Sequence, residues 1–210
     1  MAQTETFFSD FGAGDAYNCC TGWTVSGTGT VGESFTSANE FVDGITGSVT
    51  QIDIGIGYVT GTNSFFAALY ESNGTGGDPG TLIQQWSGLT SSQPFGGCCG
   101  VVTITGIMST DLTQGMSYWL VIGPTNLTAT TWEAWNLNST GATGTDLYAT
   151  TGCTNGTGGN CSWISNGTQS IGAFDIIGST GQTIPEPSSL LLLGTGLVGA
   201  FASVRRKLMR

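Results

Sequence analysis

The chain of 210 residues has no histidine, and its four basic residues, Arg205, Arg206, Lys207 and Arg210, all fall in the last six positions. From residue 1 to 204 there is no Lys and no Arg. Attraction to a phosphate backbone comes from those two side chains, so nucleic acid is not expected as a partner. Ser-His-Asp and Cys-His nucleophiles need an imidazole, Schiff-base catalysis a lysine, and a guanidinium is a common stabiliser of developing negative charge. Only carboxylate chemistry is left, and we expect no enzyme. Proline is scarce, at 5, which argues against collagen and against a polyproline linker. No stretch before Pro185 keeps an apolar period of 3.6 residues over more than two turns, so the body is not helical.

What is present is glycine and acid. There are 35 glycines, and 13 of the 14 carboxylates lie between residues 1 and 184. A glycine-rich chain with many Thr, Ser and aromatic residues fits short strands joined by tight turns. Ile52, Ile54, Ile56 and Tyr58 alternate with Gln51, Asp53, Gly55 and Gly57, a period of two. Phe65, Ala67 and Leu69 alternate with Phe66, Ala68 and Tyr70. With Gly61-Thr62-Asn63 between them, these two runs read as a hairpin. Further extended runs fall at 6–11, 23–25, 34–36, 81–86, 101–107, 116–122, 130–137 and 172–177. Residues 12–22 and 138–159 read as loops, the second broken at Asp146-Leu147-Tyr148. Nine to twelve short strands predict an all-β protein, an antiparallel β-sandwich of jelly-roll type over residues 1–178.

The six cysteines are Cys19, Cys20, Cys98, Cys99, Cys153 and Cys161. An even number in a loop-rich chain suggests disulfides of the kind found in exported domains. Cys153 and Cys161 bracket a short polar loop and suit a local bridge. The two adjacent pairs could cross-link to each other. Zinc is the rival reading, weakened by the lack of histidine and of C-x₂-C spacing. Residues Met1-Ala2-Gln3-Thr4 show no basic or apolar leader pattern. They read as a mature N-terminus carrying a start Met: either a leader was removed or the start is placed too late.

The end of the chain is of another kind. Pro185-Glu186-Pro187 and Ser188-Ser189 precede an apolar run, and residues 188–204 carry no charge. As a helix that segment would be about 26 Å long, at the short end of a membrane span. Arg205, Arg206 and Lys207 behind it fit a stop-transfer cluster on the cytoplasmic side. The prolines keep residues 179–187 an extended linker, and residues 205–210 form a basic tail. The tripeptide, the Leu190–Leu193 run, the glycine-rich apolar segment and the arginine cluster, in this order, resemble the PEP-CTERM sorting signal. That resemblance implies a Gram-negative bacterium and an exosortase of its inner membrane that recognises and processes the tail. It also implies a membrane-tethered precursor, then delivery to the cell surface or extracellular polymer matrix. Glu33-Ser34-Phe35-Thr36, Asp78-Pro79-Gly80-Thr81 and Tyr118-Trp119-Leu120-Val121 are similar, less specifically, to choice-of-anchor-type β-sandwich ectodomains.

For chemistry in the body, Asp53, Glu71, Asp111, Glu133, Asp146 and Asp175 are available to a two-carboxylate mechanism, but nothing in the sequence pairs them. A structural Ca²⁺ would take oxygens from loop carboxylates such as Asp10, Asp15, Asp43 and Asp78, although no EF-hand-type loop occurs; no other cofactor is expected. Tryptophan faces suit sugar rings. Trp119 and Trp132 lie in strand-like runs and are expected in the core, whereas Trp135 and Trp163 are the candidates for exposed carbohydrate stacking, with exopolysaccharide as the partner. Six Asn-x-Ser/Thr sites (Asn73, Asn126, Asn138, Asn155, Asn160, Asn166) read as turn composition in a bacterial protein. Two functions follow: a structural or adhesive surface protein of the biofilm matrix, or a carbohydrate-binding module.

Overall fold

A computed structural model describes residues 3–150 and 161–181. Thirteen strands run through them in the order β1 (Gln3–Ser9), β2 (Tyr17–Ser26), β3 (Thr36–Val42), β4 (Gly47–Ile54), β5 (Ile56–Thr60), β6 (Phe65–Glu71), β7 (Leu82–Leu89), β8 (Val102–Leu112), β9 (Ser117–Pro124), β10 (Trp132–Asn138), β11 (Thr143–Ala149), β12 (Ile164–Ser170) and β13 (Phe174–Thr180). The helical pieces among these residues are a four-residue turn, Thr28–Val31, and a 3₁₀ turn, Thr75–Gly77. The all-β antiparallel expectation holds. The proposed membrane helix at 188–204, the sorting tripeptide and the basic cluster lie outside the described residues. Among the described residues no helix is long and apolar enough to cross a membrane.

Three sheets form. Their strand orders are β1-β13-β4-β8, β2-β10-β5 and β12-β11-β3-β9-β6-β7. The first two run into each other because β4 and β5 are one chain interrupted at Gly55. There Gly55 N–H donates to Ala173 O, Ala173 N–H to Asn136 O, and Asn136 N–H to Gly55 O, at 2.9, 2.7 and 2.8 Å. This closed ring of three backbone bonds joins β4/β5, β10 and the start of β13. One core lies between this joined layer and the six-stranded sheet. It takes Ile52, Ile54, Ile56, Trp135 and Phe174 from one side and Phe41, Phe65, Leu69, Leu120 and Ile122 from the other.

The expected hairpin does not exist. β4 pairs with β13 and β8, and β5 with β10, whereas β6 pairs with β7 and β9 in the opposite layer. The reason is in β6 itself. Both of its faces are apolar and all six residues from Phe65 to Tyr70 are buried, which requires an interior position in a sheet covered on both sides. The connection through Gly61 therefore crosses between layers. Gly61 has φ 84°, and a Cβ there would sit 1.6 Å from Thr130 O, so only glycine serves. Outside the main core, Ala38, Phe66, Ala68, Tyr70, Trp119, Val121 and Leu147 form a second cluster on the outer face of the six-stranded sheet.

Two segments read as loops are strands. Cys19 and Cys20 lie within β2, and β11 spans seven residues of the stretch expected to be irregular. β12, which follows, was not anticipated at all; its residues are mostly exposed and it lies at the edge of its sheet.

Candidate functional site

Burying a carboxylate is costly unless it is paired or neutralised, and this body contains no cationic side chain to pair it. Yet Asp10, Asp43, Glu133 and Asp146 are all buried. The fold deals with them by neutral donors and by protonation. Asp10 accepts the Phe174 N–H on Oδ1 at 2.8 Å, while Oδ2 is buried with no partner. Burial pushes its pKa up to about 8, the Phe174 bond offsetting part of this, and Asp175 adds repulsion. Glu133, on β10 beside the core, accepts the Ser91 hydroxyl on Oε2 and has no partner on Oε1. Burial raises it to about 7. Asp43 and Asp175 are raised by burial too.

Asp146 differs in having company and access. It lies on β11 opposite Asn39 of β3 and Gly167 of β12. Asn39 Nδ2 donates to Oδ1 at 2.6 Å, and Asn166 Nδ2 donates to Oδ2. Asn39 is itself fixed, since its Oδ1 accepts the Gly172 N–H at 2.7 Å. Burial raises Asp146 to about 6, with the two amides holding it down. At neutral pH it is therefore mostly ionised.

Asp146 and Asn166 help line an open cleft of about 250 Å³, together with Trp23, Thr24, Phe35, Ser37 and Tyr148. Four strands and the residue before β3 supply these side chains. Trp23 is fixed by an Nε1–H bond to Ser170 O at 3.1 Å, and Ser37 Oγ donates to Thr24 O at 3.1 Å, tying β3 to β2. The Phe35 and Tyr148 rings lie 6.2 Å apart at 37°. Trp23, Phe35 and Tyr148 are each half-buried, so each keeps a part-exposed ring. The volume is below the ~300–1,000 Å³ of drug-sized pockets and suits one ring of a ligand. A cavity of about 400 Å³ beside β1, β3 and β11 is larger. Its rings are occupied, however: Phe8 stacks on Phe174 at 4.7 Å, and Phe41 is buried in the core.

The sequence-based candidates fall elsewhere. Trp135, expected at the surface, is wholly buried, with its Nε1–H bonded to Ala173 O at 3.2 Å. It is a core residue, and a Cβ on Gly172 would lie 2.3 Å from its ring. Stacking of a sugar on Trp135 is thereby excluded. Trp163 is half-buried, packs on the outer cluster around Trp119, and has its indole N–H buried without a partner. Neither lines the cleft. Trp119 is buried as expected, and Trp132 is half-buried. Of the six carboxylates available to catalysis, Asp53 and Asp175 face each other across β4 and β13. Asp111 and Glu71 are exposed on other strands. Among the described residues no three carboxylates converge on one point, Asp10, Asp15, Asp43 and Asp78 included.

The described cysteines also have definite places. Cys19 and Cys98 form a disulfide, with Cα atoms 5.7 Å apart. Cys99 is half-buried and Cys20 exposed, both as free thiols. Cys161 is disulfide-bonded, and Cys153 lies outside the described residues.

One comparison with known proteins bears on the whole. Residues 183–207 match the PEP-CTERM protein-sorting motif. The chain carries an exosortase sorting signal. The PEP-CTERM signal makes this an exported protein, processed by an exosortase and destined for the cell surface. The match covers the tail alone, and no curated protein matches the chain. What the acidic sandwich does once delivered has to be argued from its own residues.

Proposed function

We propose that the sandwich is a non-enzymatic structural or adhesive domain of the cell surface or its extracellular polymer, held first at the inner membrane by the PEP-CTERM tail and then released. The observation that supports this most is the pairing of that tail with a body that has 13 acids and no base. Such a body has no imidazole, amine or guanidinium side chain, so Ser-His-Asp, Cys-His and Schiff-base catalysis are closed to it. The reading needs no cofactor. Deleting the gene should change cell aggregation or retention of the polymer layer, and restoring the chain without residues 183–210 should not repair it. Unchanged aggregation and polymer retention on deletion would overturn the proposal.

A second reading, carbohydrate binding, draws on the cleft. Rings with part-exposed faces beside amide and carboxylate oxygens suit a pyranose, whose C–H face stacks while its hydroxyls find hydrogen bonds. Charge sets the class of sugar. With no base in the body, a uronic-acid polymer meets only repulsion, so the ligand is a neutral glycan. Titration calorimetry of the protein with neutral and with uronic-acid oligosaccharides tests this. Trp23→Ala and Tyr148→Ala should each weaken neutral-glycan binding by about tenfold or more, whereas Trp163→Ala should leave it unchanged. Preference for the acidic oligosaccharides, or indifference to both cleft substitutions, would sink this reading.

A further inference from the structure

A disulfide uses two sulfurs, and at the foot of β2 the fold brings three together. Cys19, Cys98 and Cys99 have their Sγ atoms all within 4.8 Å of one another. The bridge joins Cys19 to Cys98, and the Cys99 Sγ lies 3.7 Å from the Cys19 Sγ. Cys19 is buried on its strand, Cys99 half-buried and Cys98 exposed. The loop that carries the vicinal pair is pinned on both flanks. Gly96 N–H donates to Cys19 O at 2.9 Å, Phe95 N–H to Tyr58 O at 2.7 Å, and Tyr17 Oη–H to Gly100 O at 2.9 Å. The three sulfurs also share one neighbour, the Tyr17 carbonyl, at 3.5, 3.8 and 3.9 Å. Cys20, next along the strand, is exposed and outside the group.

We propose that these three residues form a thiol–disulfide exchange site, in which Cys19 stays bonded and its partner alternates between Cys98 and Cys99. The Cys99 thiol loses its proton to water, and the thiolate attacks the Cys19 Sγ. The new bond is Cys19–Cys99, the Cys19–Cys98 bond breaks, and the Cys98 thiolate leaves and takes up a proton. One S–S bond is exchanged for another, so no oxidant or reductant is consumed. The effect is to move the free thiol from a half-buried to an exposed position. An exported chain, in a compartment where disulfides persist, thereby presents a surface thiol without unfolding. Exchange is independent of the cleft and of any glycan.

The test is peptide mapping by mass spectrometry on the full, unreduced chain. One sample is acid-quenched at once and another after about one hour at pH 8, the scale of uncatalysed rearrangement. Free thiols are then capped with N-ethylmaleimide, and fragmentation locates the cap. After incubation the cap should appear on both Cys98 and Cys99, and Cys99→Ser should abolish an exchange-dependent cap on Cys98. The exposed Cys20 is capped in every sample, and a second cap that stays on Cys99 and never reaches Cys98 overturns the proposal. Cys98→Ser should yield a Cys19–Cys99 bridge, and a folded Cys98→Ser chain with both thiols capped counts equally against it. Should that variant fail to fold, the wild-type mapping decides alone.

Discussion

Glu133 and Asp146 invite comparison because each is an almost fully buried acid on a strand and neither has a cation to pair with. They differ in what surrounds them. Glu133 sits against the main core with one oxygen bonded to Ser91 and the other bonded to nothing. Asp146 sits at the cleft with an asparagine amide on each oxygen. The first is pushed up to about 7 and the second to about 6, although the acids start from 4.5 and 3.8. In a body without bases, amide donors replace ion pairs where a carboxylate is to stay charged beside solvent. Where a single hydroxyl donates, as Ser91 does to Glu133, burial leaves the carboxyl protonated up to about pH 7. Near pH 7 the cleft acid is therefore mostly an anion and the core acid about half neutral.

The largest effect that would sharpen this contrast is on stability against pH. Asp10, Glu133 and Asp146 all have folded pKa values above their ordinary ones, about 8, 7 and 6. The folded state therefore binds more protons than the unfolded state between about pH 4 and pH 8. Stability contributed by these groups is complete below the unfolded values and is lost as pH rises through each folded value in turn. Between pH 5 and pH 8 the loss should be on the order of 5 kcal/mol, or about 10–20 °C in Tm. Calorimetry across that range measures it. A flat profile, or one rising towards pH 8, would mean that the buried acids have partners of another kind.

Next in size is the pair of tryptophans. Trp135→Ala empties a fully buried site two residues from Glu133 and should cost about 3–5 kcal/mol. Trp163→Ala strips a half-buried ring from the outer cluster and should cost about 1 kcal/mol. Urea unfolding of both variants gives the difference directly. Equal losses would show that the outer cluster matters as much as the main core.

These tryptophans also show how far the sequence could be read. The alternation of Ile52, Ile54 and Ile56 was legible because it is a local pattern, whereas β6, apolar on both faces, read only as the second half of a hairpin. Strand partners were not, since pairing is decided by non-local packing and nothing near Gly61 says which sheet receives the next strand. β12, at the edge of its sheet, escaped notice because Ser, Asn, Gly, Thr and Gln give no apolar alternation, and of β11 only Asp146-Leu147-Tyr148 stood out from the loop around it. Trp135 was expected at the surface, and its neighbours gave no sign of its burial. It shares a strand face with Glu133, and an acid normally marks the solvent side, but here the acid is buried as well. The cleft was out of reach because Trp23, Phe35 and Tyr148 belong to separate segments, and only the packing of β2 against β3, with β11 paired beside β3, brings them together.

Asn39→Ala carries the comparison to the cleft. It removes the donor to Asp146 Oδ1 and the acceptor of the Gly172 N–H, and should cost about 1–3 kcal/mol. With one amide gone, the Asp146 pKa should rise from about 6 towards that of Glu133. Carboxyl titration followed by NMR would report it. If the value stays at about 6, solvent in the cleft, and not the amide, keeps Asp146 ionised.

The smallest effect discriminates most finely. Glu133→Gln replaces the acid by a neutral group of the same shape. Its carbonyl can accept the Ser91 hydroxyl as Oε2 does, but its NH₂ then occupies the place where Oε1 has no partner. An unsatisfied buried donor costs about 1–3 kcal/mol. At pH 5 the wild-type carboxyl is already protonated, so the variant gains nothing from neutrality and should be slightly less stable. At pH 8 the wild type must hold a charge in the core, and the variant escapes that cost, so it should be more stable by about 1 kcal/mol. The two stability curves must then cross between these pH values, near the folded pKa of about 7. The same exchange at the cleft, Asp146→Asn, sets an NH₂ against one of the two asparagine donors and should destabilise at both pH values. A crossing at Glu133 without one at Asp146 is what separates the core acid from the cleft anion; crossings at both, or at neither, would erase the distinction.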